Sequence, residues 1–298
     1  METAFRKLGE MRADNKPRQR PRIKGSMLQF MGAAVDDIGM GLKAYTVTSK
    51  GVRFVVLLWD LDSGDLQAVI EANKLGQMRT GAASGVATRY LAREDSSTVG
   101  IIGSGWQARS QLEAVCAVRS INRVLAFSRN PLNCRIFANE MSERLGVAIE
   151  AVSDAVEVVE EADILITITN SDKPLFDGSK LRPGTHVNAA GSNRRTAQEI
   201  DLEAIERMDL ITIDQRIQGQ LESGDLIPAI RKKIITWEDV IELGAIVAGQ
   251  LSGRTDPSQL TLFESLGIAA EDVAVARIVY DKACEMGAGT PLIDSILG

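Results

Sequence analysis

One eleven-residue stretch limits most strongly what this chain can fold into. Residues 98–108 read TVGIIGSGWQA, so a short β-branched run leads directly into the pattern G-x-G-x-x-A. Gly103 permits a tight turn, Gly105 lets backbone approach a pyrophosphate, and Ala108 lets the next helix pack closely on the strand. The pattern alone also fits an ordinary tight turn, but the flanking strand and helix favour a dinucleotide-binding loop. Its predicted contacts are Gly103, Ser104, Gly105, Trp106, Gln107 and Ala108.

The end of the next predicted strand bears on which dinucleotide binds. Residues 123–127 are followed by Ser128, Arg129 and Asn130. An enzyme that prefers NAD usually has Asp or Glu at this turn to hold the ribose 2′-hydroxyl, and this turn has neither. A guanidinium beside a hydroxyl and an amide suits a 2′-phosphate, although Arg129 also fits a solvated loop residue. The sequence therefore predicts NADP(H) in preference to NAD(H).

Composition excludes several classes of protein. The 298 residues carry a net charge of −6 and contain no Lys/Arg-rich block with interleaved aromatic residues, which argues against a nucleic-acid partner. No apolar run reaches the roughly 18 residues of a membrane span, so no membrane partner is expected. Three scattered cysteines and a single histidine predict reduced thiols, no metal site and a cytoplasmic location.

The order of predicted elements divides the chain into two parts. A helix over 2–11 precedes strands at 26–31, 41–48, 52–60 and 66–71, and a helix rich in small residues follows over 77–93. From residue 98 strands and helices alternate, which is typical of a parallel sheet with crossover helices. Strands are predicted at 98–102, 123–127, 147–151, 163–168, 185–189 and 209–213. Helices are predicted at 106–119, 131–145, 154–161, 199–206 and 270–286.

Three cations outside the loop are candidates for binding an anion: Arg22, Lys43 and Arg79. Lys43 lies in a predicted strand among apolar neighbours, where alternation could equally point it to solvent. Arg79 lies near a predicted helix start, where the helix dipole repels a cation, and such a placement favours a bound anion. If the three converge near a nicotinamide, they would clamp a substrate carboxylate.

Several motifs together resemble the ornithine cyclodeaminase/mu-crystallin family over nearly the whole chain. They are PRI at 21–23, GLK at 41–43, MRTGAAS at 78–84, IGSGWQA at 102–108, TIT at 167–169, PGTHVNAAGSN at 183–193 and TLFESLG at 261–267. The resemblance implies a homodimeric α/β protein. Its Rossmann domain (95–264) would be inserted into a discontinuous α+β dimerisation and substrate domain (1–94 plus 265–298), with the active site in the cleft.

The resemblance also implies roles for individual residues. Arg22, Lys43 and Arg79 match positions that bind the substrate carboxylate, and Trp106 and Gln107 match contacts to the pyrophosphate. Further matched cofactor contacts are Thr169, Gly191, Ser192 and Ser265. Ser128 stands where NAD-using cyclodeaminases have aspartate. Because family members usually begin about one strand and half a helix earlier, either an edge strand is missing or the natural start lies upstream.

Asn193 departs from the cyclodeaminase pattern, since it aligns with an aspartate beside the substrate amine, and Gln29 aligns with a glutamate. An amide orients a group but is no base near pH 7, which argues against oxidation of a free amine. The sequence therefore predicts an NADPH-dependent reductase of small 2-imino or cyclic ketimine carboxylates, with Asn193 in the catalytic set. An L-amino-acid dehydrogenase, an ornithine cyclodeaminase and a non-catalytic NADPH-binding protein remain alternatives. His186 is expected at the C-terminal end of a strand, as a buried hydrogen-bonded residue or a proton donor.

Overall fold

A computed structural model describes residues 1–291 and contains two separate β-sheets. The first sheet is antiparallel with strand order β1-β3-β4-β5-β6, and β2 pairs with β3. Its strands are β1 (Ala13–Asn15), β2 (Arg22–Ile23), β3 (Ser26–Val35), β4 (Gly39–Thr48), β5 (Gly51–Trp59) and β6 (Leu66–Glu71).

The second sheet is parallel and has the order β13-β12-β14-β11-β10-β7-β8-β9. Its strands are β7 (Thr98–Ile102), β8 (Arg123–Phe127), β9 (Ala148–Ala151), β10 (Ile164–Thr167), β11 (His186–Ala189), β12 (Leu210–Ile213), β13 (Val240–Glu242) and β14 (Thr261–Glu264). A Rossmann-like sheet beside a separate antiparallel one confirms the predicted fold class.

The helices cover both sheets. They are α1 (Glu2–Gly9), α2 (Asn73–Leu91), α3 (Trp106–Cys116), α4 (Pro131–Leu145), α5 (Ala155–Glu161), α6 (Leu202–Glu206), α7 (Arg216–Glu222), α8 (Leu226–Arg231), α9 (Leu243–Val247) and α10 (Ala269–Glu285), with a 3₁₀ turn at Gly178–Lys180. Helix α10 returns to the antiparallel sheet, where Val273 and Ala276 join its core. The predicted domain boundaries stay a prediction, and residues 292–298 of that assignment lie outside the described residues.

Small residues bring α2 against α3, as the composition of α2 predicts. A Cβ on Gly81 would lie 2.1 Å from the Ser110 carbonyl oxygen, and one on Gly85 would lie 3.0 Å from that of Ala114. Only glycine permits this approach at position 81. The contact connects the helix that carries Arg79 to the helix that begins at the predicted dinucleotide loop.

Predicted and observed elements differ mainly where short segments are buried. The sequence pattern predicts neither the strands β1, β2, β13 and β14 nor the helices α7, α8 and α9, because segments of two to seven residues are too short to show a period. Helix α2 begins at Asn73, four residues earlier than predicted, since its polar first turn lacks an apolar period. Helix α6 begins at Leu202, because Asp201 caps it by accepting from Ala204 N at 2.7 Å. Glu199 therefore lies in the preceding loop and not in a helix.

Candidate active site

A cleft between the two sheets brings together residues from distant parts of the chain. Its internal volume is about 270 Å³, the scale of a small-molecule site. One wall comes from the antiparallel sheet and α2 and includes Lys43, Tyr45, Phe54 and Arg79. The other comes from loops that follow strands of the parallel sheet. That wall consists of the first two residues of α3, Trp106 and Gln107, together with the loop residues Ile168, Ala190, Gly191, Ser192, Asn193, Arg194, Ser265, Leu266 and Gly267.

Lys43 points into the cleft and not to solvent. Its side chain is 2% exposed, and Nζ donates to Asp272 Oδ1 at 2.8 Å. Nζ also lies 5.1 Å from the centre of the Phe54 ring and 5.8 Å from that of Tyr45. Burial, followed by the nearby charge of Arg79, lowers the pKa of Lys43 to about 8.

Arg79 shares a counter-ion with Lys43. Its Nε donates to Asp272 Oδ1 at 3.1 Å, and its Nη1 donates to Glu271 Oε2 at 2.7 Å. Although burial opposes the charge, these two carboxylates raise the pKa of Arg79, so it stays cationic. Gly267 makes room for the guanidinium, because a Cβ there would lie 2.4 Å from Arg79 Nη1. Arg79 lies beyond the first turn of α2, so the predicted repulsion by the helix dipole is weak at this position. The anions beside Arg79 are the carboxylates of Glu271 and Asp272.

Arg22 does not join these cations, which corrects the sequence prediction. It lies on β2, where both residues are exposed, and it is not among the residues that line the cleft. Arg18 lines the cleft in its place, buried and paired with Glu222, with Nη2 donating to the carbonyls of Leu266 at 3.0 Å and Gly267 at 2.8 Å. The sequence contains two Pro-Arg steps, at 17–18 and 21–22, and the PRI motif at 21–23 contains the exposed arginine.

Three acidic residues that sequence reasoning missed hold the cations in place. Glu271 and Asp272 occupy the first turn of α10, and Glu222 ends α7 and pairs with both Arg18 and Arg20. Acids at a helix N-terminus are common because they suit the dipole, so this position gave no sign of a counter-ion role. Only the return of α10 to the antiparallel sheet brings them to Lys43 and Arg79.

A polar chain along the cleft includes Gln29 and Asn193. Gln29 Oε1 accepts from the Tyr45 hydroxyl at 2.7 Å and from Arg20 Nε at 3.0 Å. Arg20 Nη2 donates to the backbone carbonyl of Asn193 at 2.7 Å, so it fixes the loop that carries this amide. Gln29 and Asn193 both line the cleft, so each contributes a neutral amide there.

The predicted dinucleotide loop has the geometry that a pyrophosphate needs. Gly103 has φ +116°, and a Cβ there would lie 2.3 Å from the Ile168 carbonyl oxygen. A Cβ on Gly105 would meet open space, where backbone can approach a bound phosphate. Ala108 is buried, and the N-terminus of α3 begins at Trp106. The residues present therefore fit a dinucleotide. Ser104 belongs to the same turn, and its carbonyl lies 3.4 Å from Arg109 Nη1.

The turn after β8 offers fewer free groups than its sequence suggests. Asn130 caps α4 by accepting from Asn133 N at 3.1 Å, with Pro131 at the first helical position as predicted. Arg129 is exposed and donates to Asn170 Oδ1 at 3.1 Å, while Ser128 is half-buried. Because the cap uses only Oδ1 of Asn130, the groups that remain for a ribose 2′-substituent are Ser128, Arg129 and the amide nitrogen of Asn130.

The remaining predicted contacts lie along the carboxyl edge of the parallel sheet. Thr169 follows β10, and its hydroxyl donates to Glu199. Gly191 and Ser192 follow β11, where the Ser192 hydroxyl accepts from Arg194 N at 3.2 Å. Ser265 follows β14, and its Oγ is buried without a hydrogen-bond partner among the described residues, as is Nε of Arg18. Such orphaned polar atoms beside a cleft indicate a ligand or ordered water.

His186 is not a proton donor to this cleft. It begins β11, at the opposite end of the strand from the predicted location, and Nδ1 lies 2.9 Å from the Thr261 hydroxyl. Burial, followed by the charge of Arg254, lowers its pKa to about 3. His186 is therefore a neutral, hydrogen-bonded core residue.

Comparisons with known proteins agree with this architecture. Residues 1–287 match the model of the ornithine cyclodeaminase/mu-crystallin family. A Delta(1)-pyrroline-2-carboxylate reductase from Bacillus cereus is 37% identical over 258 residues, which cover 84% of this chain and 79% of the relative. The Thermococcus litoralis Delta(1)-pyrroline-2-carboxylate reductase in complex with NADH and L-proline superposes with a TM-score of 0.93 at 38% identity, over 98% of this chain and 93% of that one. An archaeal alanine dehydrogenase dimer with bound NAD gives 0.92 at 32% identity, over 98% and 92%.

Proposed function

Because the chain belongs to the ornithine cyclodeaminase/mu-crystallin family, we propose that it is an NADPH-dependent reductase. Its substrates are small 2-imino or cyclic ketimine carboxylates, and its products are L-amino or cyclic imino acids. One observation carries the proposal: the cations Lys43, Arg79 and Arg18 line the same cleft as the loops at the carboxyl edge of the parallel sheet. A carboxylate and a nicotinamide could therefore meet there.

In the proposed reaction, bound NADPH supplies a hydride to the carbon of the C=N bond. Lys43 and Arg79 hold the substrate carboxylate, and the rings of Tyr45 and Phe54 enclose its apolar part. The imine nitrogen enters protonated or takes its proton from water, so reduction needs no side-chain proton donor. Asn193 and Gln29 orient polar groups, and their neutrality favours imine reduction over oxidation of a free amine.

The cofactor preference rests on the turn after β8. Neither Ser128 nor Arg129 repels a 2′-phosphate, and Arg129 is exposed and able to turn towards one. The T. litoralis relative is described with NADH, so the preference of this chain for NADP(H) is a separate proposal.

A homodimer is also part of the proposal. The outer face of the antiparallel sheet carries an apolar row across β3, β4, β5 and β6, in which Gly32, Leu42, Leu57 and Val69 stand directly opposite one another. Val69 is 51% exposed, and large apolar faces of this kind commonly mark an interface. Leu42→Glu is expected to give monomers in analytical ultracentrifugation, whereas Arg135→Glu, at an exposed position on α4 beside the other sheet, is expected to leave dimers. The proposed enzyme is cytoplasmic.

The test of activity is a panel of imines with NADPH, followed by absorbance at the NADPH band. Pyrroline-2-carboxylate and piperideine-2-carboxylate are expected to oxidise NADPH. Oxidation only with pyruvate and ammonia would indicate an L-amino-acid dehydrogenase, which the likeness to alanine dehydrogenase makes the second candidate. Ammonia and proline from ornithine would indicate a cyclodeaminase. NADPH binding without any turnover would indicate a binding protein and contradict the proposal.

A further inference from the structure

Glu199 is a buried acid that connects two loops at the carboxyl edge of the parallel sheet. Its side chain is 0% exposed, and it lies in the loop between β11 and α6. The backbone around it is fixed from behind, because Glu199 N and Ile200 N both donate to Asp225 Oδ1 at 2.7 Å. The carboxylate is therefore held in one place relative to the sheet.

Four donors converge on the Glu199 carboxylate. Oε1 accepts from the backbone N and the hydroxyl of Thr169, both at 2.6 Å. Oε2 accepts from the Thr167 hydroxyl at 3.0 Å and from the backbone N of Gly191 at 2.9 Å. Thr167 is the last residue of β10 and Thr169 follows it, whereas Gly191 follows β11. One carboxylate thus holds two neighbouring strand ends together.

The loop at Gly191 is fitted closely to this carboxylate. A Cβ at position 191 would lie 2.4 Å from Glu199 Oε1 and 2.4 Å from Thr169 N. Gly191 lines the cleft, and so do its neighbour Ala190 and the residue before Thr169, Ile168. Because the carbonyl of Ile168 also lies against Gly103, the same strand end contacts the dinucleotide loop.

We infer that Glu199 is the positioning residue for the nicotinamide end of the cofactor. It holds Thr169 and Gly191 at the spacing in which their loops form the floor of the cleft. This inference rests on the proposed binding of NADP(H) and does not depend on the proposed imine substrates. Both Glu199 oxygens are occupied by donors, so the residue acts through these loops and transfers no proton to substrate.

The test compares two ligands that differ in the nicotinamide. NADPH contains it, and 2′-phospho-ADP-ribose lacks it but keeps the phosphates. Glutamine at 199 accepts fewer of the four hydrogen bonds, because its amide nitrogen opposes the N–H of Gly191. Glu199→Gln is therefore expected to raise the Kd for NADPH about tenfold, as measured by calorimetry. The Kd for 2′-phospho-ADP-ribose is expected to stay within about twofold of the wild-type value.

Two further variants separate positioning from general stability. Thr167→Val removes one donor to Glu199 from a buried residue that does not line the cleft, and it is expected to weaken NADPH binding in the same direction by a smaller factor. Glu206→Gln removes an exposed charge from the same region and is expected to change neither affinity. Equal weakening of both ligands, or a lower Tm with unchanged NADPH affinity, would overturn the inference. If the wild-type protein bound NADPH but reduced no imine, only the proposed substrate chemistry would fail.

Discussion

The two walls of the cleft are built by different physical means. The dinucleotide wall uses backbone: glycine turns, a helix N-terminus and the ends of parallel strands, all within short segments of sequence. The substrate wall uses buried charges from β4, α2 and α10, which are separated by up to 229 residues. Backbone sites depend on local conformation and tolerate much side-chain change. The charged wall depends on every partner, because a buried ion without its counter-ion is strongly destabilised.

The largest expected effect comes from removing the lysine of the charged wall. Lys43→Ala should lower kcat/KM for a ketimine carboxylate by a factor equivalent to about 2 to 5 kcal/mol of transition-state binding. This is the cost expected when one partner of a desolvated charge pair is truncated. NADPH affinity should stay unchanged, because the backbone wall is intact. Steady-state kinetics measure kcat/KM, and calorimetry measures NADPH affinity. Lys50→Ala, at an exposed turn, is the control. Unimpaired turnover would remove Lys43 from the carboxylate site.

A substitution in the dinucleotide wall should alter the preference between NADPH and NADH and leave substrate binding unchanged. Arg129→Ala is expected to lower kcat/KM for NADPH by a factor equivalent to about 1.5 to 3 kcal/mol, the energy of a hydrogen bond to a charged group. The kcat/KM for NADH is expected to stay constant. Ser128→Asp should reverse the preference by placing a carboxylate against the 2′-phosphate. Kinetics with both cofactors at fixed ketimine provide the measurement. Equal kcat/KM values of the wild-type enzyme for NADPH and NADH would contradict the NADP(H) proposal.

The charged wall should also be the more sensitive of the two to pH. Burial lowers the pKa of Lys43 to about 8, so the side chain is cationic below that pH and neutral above it. Because a neutral amine attracts a carboxylate less, kcat/KM should fall as pH rises through about 8, while NADPH affinity changes less. Asp272→Asn removes a charge that raises this pKa, and the fall should then begin at lower pH. A profile that is flat from pH 7 to 9 would contradict this role of Lys43.

The smallest effect is expected at the arginine that the cleft leaves out. Arg22→Ala should change kcat/KM by less than about twofold, since surface substitutions away from a site rarely exceed about 0.5 kcal/mol. Arg18→Ala should impair turnover strongly, because it leaves Glu222 with one arginine partner fewer in a buried site. The two variants in one assay decide which Pro-Arg step serves the cleft. A large loss from Arg22→Ala alone would restore the original assignment.

The sequence alone determined the dinucleotide loop, the alternation of strands and helices after residue 98, and the Asn130–Pro131 helix start. Those features are local, since a turn, a cap and a β-branched run each depend on neighbouring residues. Tertiary structure alone decided that Arg18 and not Arg22 reaches the cleft, that Glu271 and Asp272 pair with Lys43 and Arg79, and that Glu199 joins two strand ends. These pairings join residues far apart in the chain, so their energies depend on burial and distances that exist only once both sheets have formed and α10 has returned to the first.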